Sequence, residues 1–345
     1  MSEAVTPVLD QQRTDDLDGP LLSVQDLVVS FGAQRGRVRV VDGLSFDIRP
    51  GETVAVLGES GSGKSVTAQA IMGLLPRPIG RVDSGRILYR GVDLLQQTPG
   101  YVRSLGGTEM AMIFQDPLSS LNPVLRVGAQ IGEAMRRRAG VSPREARERA
   151  IELMERVGIP AARRRVDDFP HQFSGGMRQR VMIAMALALR PSLIIADEPT
   201  TALDVTVQAQ IMSLLAEVQE RDGTALLLIT HDLGVVADVA DRTVVMYSGR
   251  TAESGGIRDV YDRPAHPYTV GLMGSVPGID GERGRLTPIE GSPPDPRRVP
   301  TGCAFHPRCP MAIALCAEVR PEPREIAGRT ELHVSACHRA EEVGA

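Results

Sequence analysis

The rhythm of apolar positions changes several times along the chain, and each change predicts a different element. From Leu21 to Phe31, and again from Val38 to Ile48, β-branched residues alternate with polar ones, the period of paired antiparallel strands. Pro50-Gly51 reads as a turn, and Glu52 to Leu57 (Glu-Thr-Val-Ala-Val-Leu) as a short buried strand. Gly63 to Leu75 follows as a helix stopped by Pro76 and Pro78. The stretch from about 118 to 173 is rich in Arg, Glu and Ala, and Ala150, Leu153, Met154 and Val157 recur at helical spacing. It predicts a helical subdomain inserted into the rest. Then come a helix, Gly176 to Leu189, a strand, Leu193 to Ala196, a helix, Val205 to Glu220, and a strand, Ala225 to Thr230. Strands alternating with helices predict an α/β core with a largely parallel sheet, preceded by an antiparallel β subdomain. Beyond Tyr261 the composition shifts to Pro, Gly and Cys, so the expected division is a disordered tail over 1–20, a core over 21–260 and a small appended domain over 261–345.

Composition narrows the function classes. A chain of 345 residues with 42% apolar content buries one large core plus a smaller unit. A net charge of −4 argues against a dedicated nucleic-acid binder, and 3% aromatics without Trp leave no stacking platform for single strands. The longest strongly apolar runs, Val181 to Leu189 and Ala225 to Ile229, fall short of the roughly 20 residues that span a bilayer. Met1 to Pro20 is acidic and polar, without the basic start and apolar stretch of a signal peptide. A cytoplasmic protein is expected, with any membrane role supplied by partner chains. No internal repeat is visible.

Gly58-Glu59-Ser60-Gly61-Ser62-Gly63-Lys64-Ser65 fits G-x-x-x-x-G-K-[ST] between a predicted strand and a predicted helix, the context that motif requires. Backbone N–H groups of such a loop face a phosphate, Lys64 places its charge on the β- and γ-phosphates, and the Ser65 hydroxyl ligates Mg²⁺. Asp197 and Glu198 end an apolar strand. Two adjacent acids there repel unless a cation is near, which makes Asp197 a Mg²⁺ partner and Glu198 a candidate general base. Gln115, in Phe114-Gln115-Asp116-Pro117, has an amide able to reach Mg²⁺ and the attacking water, although a Gln alone is ordinarily a surface residue. Ser174-Gly175-Gly176 opens a helix and forms a second anion-binding terminus.

The order of these elements, with Phe173-Ser174-Gly175-Gly176-Met177 between the glycine loop and the Asp-Glu pair, resembles the ATP-binding cassette (ABC) ATPases from about Leu21 onward. The resemblance implies that Phe31 stacks on adenine (a core Phe being the alternative), that His231 contacts the γ-phosphate and orients Glu198, and that Gly58, Ser60, Gly61, Ser62, Gly63, Lys64 and Ser65 cradle ATP. It also implies that Ser174, Gly175 and Gly176 close onto the ATP of a partner cassette, and that Ala202-Leu203-Asp204 lines the same interface. The usual pattern is Leu-Ser-Gly-Gly-Gln, whereas this chain has Phe173 and Met177 at its ends. Arg136-Arg137-Arg138 and Arg163-Arg164-Arg165 read as a solvated helical face with pairs such as Glu152 with Arg156, or as a docking face for anionic lipid or permease loops.

His266-Pro267-Tyr268-Thr269, then Leu272 to Pro277, then Cys303-Ala304-Phe305-His306-Pro307-Arg308-Cys309-Pro310 with Cys316 and Cys337-His338, is similar to the extension of the ATPases of oligopeptide and dipeptide importers and their nickel-importing relatives. By chemistry, the spacing Cys-x5-Cys-x6-Cys-x20-Cys matches neither a zinc ribbon nor a ferredoxin run. Cys303, Cys309, Cys316 and Cys337 then hold a [4Fe–4S] cluster, or zinc with His306, His333 or His338, or nothing. The resemblance implies an ATP-hydrolysing subunit of a peptide importer at the cytoplasmic face of the membrane. Its implied partners are two transmembrane permease subunits, a second, paralogous ATPase and an extracytoplasmic substrate-binding protein. The alternatives are the same role for nickel or another small solute, and a soluble ABC ATPase without a transport role.

Overall fold

A computed structural model describes residues 19–33, 36–201, 203–275, 289–326, 328 and 332–343. The sequence readings on residues 1–18, Ala202 and Val276-Pro277 lie outside the described residues.

The alternating N-terminal segments form β1 (Leu22–Phe31) and β2 (Val38–Ile48), paired antiparallel from Leu22 opposite Ile48 to Phe31 opposite Val38. With β4 (Gly80–Tyr89) and β5 (Val92–Asp93) they make a four-stranded sheet in the order β2-β1-β4-β5. The second sheet holds β3 (Thr53–Leu57), β6 (Met110–Ile113), β7 (Leu193–Asp197), β8 (Ala225–Thr230), β9 (Arg242–Tyr247), β10 (Arg250–Gly256), β11 (Arg324–Glu325) and β12 (Val334–Ser335), in the order β11-β12-β10-β9-β3-β8-β7-β6. Every residue of β3, β7 and β8 is buried, as befits parallel strands covered on both faces.

Register decides where chemistry can occur. Leu57 lies opposite Thr230, Asp197 opposite Ile229 and Ile113 opposite Ala196, so β3, β6, β7 and β8 end at one level. Their carboxyl ends deliver Gly58, Gln115, Glu198 and His231 to the same edge, the usual ligand position of an open parallel sheet. The helix Lys64–Ile71 is shorter than the pattern predicts, because the chain turns out of it at Gly73 with φ +67°.

Between 118 and 173 lie helices Val127–Arg138 and Pro143–Arg156, the second capped by Ser142 accepting from the Glu145 N–H. Ala146, Ala150, Ile151 and Met154 bury one face of it alongside Val127, Ile131 and Met135 of the first. The opposite face is a lattice of exposed ion pairs: Arg137 with Glu133, Arg147 with Asp167, Arg149 with Glu145 and Arg163 with Glu148. Arg156 pairs with Asp222 at 2.7 Å, not with Glu152 as its i,i+4 spacing predicts, because it stands near the end of the long helix Val205–Asp222.

The C-terminal segment is stitched into this framework. β12 pairs antiparallel with β10 and extends the large sheet. Tyr268 and Phe305, both buried, join the main core, and their rings lie 4.6 and 5.2 Å from the Tyr247 ring of β9. His333 Nε2 is 2.6 Å from Glu253 Oε1 with both side chains fully buried, and the same oxygen accepts from the Ala265 N–H.

Candidate active site

The loop after β3 turns at a position only glycine can occupy. Gly58 has φ +150°, and a Cβ there would fall 2.3 Å from the Met246 carbonyl oxygen and 2.8 Å from Ser62 Oγ. The loop then wraps so that Lys64, 5% exposed, turns back and donates to the carbonyls of Gly58 (2.6 Å) and Glu59 (3.0 Å). Burial holds the ammonium below its ordinary pKa, against the opposing pull of Glu198, Asp197 and Glu59. Ser62 Oγ is buried and has no hydrogen-bond partner among the described residues, a hydroxyl free to meet a phosphate. Ser60 and Gly61 are exposed at the loop's outer turn.

At the end of β7 the Ser65 hydroxyl donates to Asp197 Oδ1 at 2.9 Å, which brings together the two oxygen ligands expected for Mg²⁺. Ser65, Asp197 and the Gln115 amide are the hard oxygen donors that suit this ion, which keeps most of its ligands as water and phosphate. Among the described residues no group of three or more His, Cys, Asp or Glu is disposed to hold a metal. Burial raises the Asp197 carboxyl above its ordinary pKa; the Ser65 bond opposes this, Glu198 adds to it and Lys64 opposes it.

A raised carboxyl pKa means the folded chain binds the proton more tightly than the unfolded one. The stabilisation linked to that proton is complete below the ordinary Asp value and is lost as pH rises through the raised value. Asp197→Asn is therefore expected to raise the melting temperature of the nucleotide-free chain at neutral pH. The gain should vanish below pH about 4. Thermal melts at the two pH values check this, and a variant less stable at neutral pH would contradict it. The same variant should lose Mg²⁺-dependent hydrolysis.

Glu198 sits at φ +46°, a left-handed conformation uncommon for a side chain of its size, fixed by its N–H donating to the Ile229 carbonyl at 2.8 Å. This aims the carboxylate out of the sheet edge. Its Oε2 accepts from Gln115 Nε2 and Thr201 Oγ1, each at 2.8 Å, and its Oε1 lies 3.4 Å from His231 Nδ1. Gln115, Asp197, Glu198, His231, Lys64 and Ser65 thus form one connected group. Phe31 stands apart on β1, half-buried, with its ring over Gly80.

Ser174, Gly175, Gly176 and Asp204 form a second locus, which no hydrogen bond or ion pair among the described residues joins to Lys64. Ser174 caps the helix Gly175–Leu187, its hydroxyl accepting from the Met177 N–H at 3.3 Å, and buried Phe173 anchors the turn. A Cβ on Gly176 would lie 2.7 Å from Val207 Cγ1, so the glycine lets the turn press onto the helix that Asp204 caps through the Val207 N–H. A helix N-terminus of this kind can hold an anion, and this one includes none of the phosphate loop's residues.

Cys303, Cys309, Cys316 and Cys337 are unpaired and line one small cavity together with His266 and His306. Burial raises the thiol pKa of Cys303, Cys309 and Cys337. As placed, these side chains do not form a metal-holding group. His333, weighed as a zinc ligand, is committed to Glu253 instead.

Four contributors escaped the sequence reading. Thr201 is a second donor to Glu198, and its place three residues on was the available signal. Glu59 is gripped by Arg308 and Tyr268, which lie 249 and 209 residues away. No local pattern links such distant positions.

A phosphate loop and an Asp-Glu strand end at one edge of the parallel part of the large sheet, with a Ser-Gly-Gly turn capping a nearby helix, define an ABC-type ATPase. Residues 41–201 match the family described as ABC transporter, and residues 252–316 match the oligopeptide/dipeptide transporter C-terminal region. The chain is 52% identical over 301 residues to the dipeptide transport ATP-binding protein DppD of Bacillus subtilis, covering 87% of this chain and 90% of that protein. It is 50% identical over 301 residues to the oligopeptide transport ATP-binding protein OppD of Salmonella typhimurium, covering 87% and 89%. The dimeric post-hydrolysis structure of the ATP-binding cassette MJ0796, bound to ADP and Pi, superposes with a TM-score of 0.62 at 26% identity, over 69% of this chain and 99% of that one. The chain belongs to the family of ABC transporter ATP-binding subunits of oligopeptide and dipeptide importers. It is an ATP-hydrolysing transporter subunit. Among the described residues no helix is long and apolar enough to cross a membrane.

Proposed function

We propose that this subunit hydrolyses ATP to drive import of short peptides, working at the cytoplasmic face of the membrane with two permease subunits, a second, paralogous ATPase and an extracytoplasmic binding protein. The observation that carries the cargo class is the match of residues 252–316 to the oligopeptide/dipeptide transporter C-terminal region, joined in one chain to the cassette. ATP would lie on the loop from Gly58 to Ser65, with Phe31 against adenine. The turn from Ser174 to Gly176 and the cap at Asp204 would meet the ATP of a facing cassette, which accounts for an anion site detached from Lys64. A Mg²⁺ ion held by Ser65, Asp197 and Gln115 would neutralise phosphate charge. Glu198 accepts a proton from the attacking water as its oxygen bonds to the γ-phosphorus and the bond to ADP breaks; His231 and Gln115 orient that carboxylate.

A [4Fe–4S] cluster on the four cysteines is a separate proposal, supported by four unpaired thiols around one cavity. Iron and acid-labile sulfide in anaerobically purified chain test it, and a colourless, iron-free protein would count against it.

The experiment for the cargo is the ATPase rate of the complex in lipid with its binding protein, with and without short peptides. A severalfold rise with peptides is expected. Indifference to peptides, with stimulation by a nickel chelate, would transfer the assignment to the nickel-type relatives.

A further inference from the structure

Glu59, the residue after Gly58 in the phosphate loop, is held on three sides. Its carboxylate receives both ends of the Arg308 guanidinium, Nη1 to Oε2 at 2.6 Å and Nη2 to Oε1 at 3.0 Å. Its N–H donates to the Tyr268 hydroxyl at 2.8 Å, and its carbonyl accepts from Lys64 Nζ at 3.0 Å. Two of these three partners belong to the C-terminal extension.

We propose that the extension positions the phosphate loop, with Arg308 and Tyr268 setting its affinity for the triphosphate through their grip on Glu59. This inference rests on residues 58–65 being the nucleotide loop. Both partners are also anchored outside the loop. Arg308, its side chain 6% exposed, also donates to the Glu290 carbonyl (2.9 Å) and the Tyr247 hydroxyl (3.2 Å), and lies over the rings of Tyr247 and Phe305. Tyr268 is fully buried between Tyr247 and Phe305. The pair is therefore held by the extension and β9 as well as by the loop, and is placed to hold Glu59 in turn.

Charge gives this grip its consequence. Glu59 places a carboxylate in a loop whose task is to hold a polyanion. A forked, charge-assisted bond neutralises that carboxylate and turns it away from the loop's interior. Without Arg308 the carboxylate would oppose the phosphates and compete with them for Lys64, one bond network away. Loss of the Tyr268 hydroxyl would free the N–H that holds the backbone at the loop's entry.

The test measures Mg-ATP affinity of the full chain by titration, alongside thermal unfolding. Arg308→Ala is expected to weaken affinity about tenfold, about 1.4 kcal/mol. Arg308→Lys should fall between, since an ammonium cannot fork. Adding Glu59→Gln to Arg308→Ala should restore most of the affinity, because the offending charge is gone. Tyr268→Phe, which keeps the ring in the core, should weaken binding and carries the test if Arg308→Ala does not fold. In hydrolysis the KM for ATP should rise while kcat at saturating ATP is kept. A lower melting temperature with unchanged ATP affinity in both Arg308→Ala and Tyr268→Phe would overturn the proposal, as would failure of Glu59→Gln to rescue. Normal ATP binding by Lys64→Ala would instead overturn the assignment of the nucleotide loop.

Discussion

Glu198→Gln is expected to keep ATP bound and to slow its hydrolysis by about 10²–10⁴-fold, the span of a general base. The substitution is close to isosteric, and the residue's place is set by backbone: φ +46° and the N–H bond to the Ile229 carbonyl do not depend on the side chain. A glutamine oxygen still accepts from Gln115 or Thr201, each 2.8 Å from Glu198 Oε2. What disappears is the basic oxygen and one of two adjacent negative charges, and relief of that repulsion should leave the occupied site at least as stable. The turnover rate should therefore collapse while the ATP dissociation constant does not rise. With ATP retained, a complex of two cassettes should accumulate, visible by gel filtration. Near-normal turnover would remove Glu198 as the base and transfer the proton to another acceptor.

Much of this site was legible because it is local. Gly58 to Ser65 are consecutive, their strand is a plain apolar run, and the Asp197-Glu198 pair ends another. The parallel sheet followed from alternation, and its register then brought four strand ends together. Glu198 is instructive: its identity was readable, but its left-handed backbone was not, since nothing about a Glu before Pro199 announces φ +46°. Thr201 was overlooked because a threonine in Glu-Pro-Thr-Thr is unremarkable until its hydroxyl is seen on the Glu198 carboxylate. The extension was legible as a similarity and illegible as a contact. Tyr268 and Arg308 stood inside quoted motifs, yet their partner Glu59 is more than 200 residues away, and only the tertiary fold brings them together. The cysteines show the converse limit. Their spacing left iron, zinc and no ligand open, and the structure gathers the sulfurs around a cavity without arranging them as ligands.

Lys64→Ala should instead act on binding. The ammonium is 5% exposed, donates to two loop carbonyls and stands among Glu198, Asp197 and Glu59, so it is the one cation of the phosphate loop itself. Truncating a buried, hydrogen-bonded charge costs about 2–5 kcal/mol, in part because its partners are left unpaired. At about 1.4 kcal/mol per decade, ATP affinity should fall by roughly two orders of magnitude or more. Asp197, already held above its ordinary pKa, loses an opposing positive charge and should rise further, so that the variant's residual Mg-ATP binding declines at a higher pH than that of the parent chain. Lys64→Arg is a sharper form of the same test. It keeps the charge but replaces the compact ammonium that donates to the Gly58 and Glu59 carbonyls with a larger planar fork, which does not reproduce that pair of bonds. Both substitutions should abolish saturable ATP binding in a titration at concentrations where the parent chain is fully occupied. Retained affinity in Lys64→Arg alone would show that charge suffices, and retained affinity in both would place the nucleotide elsewhere.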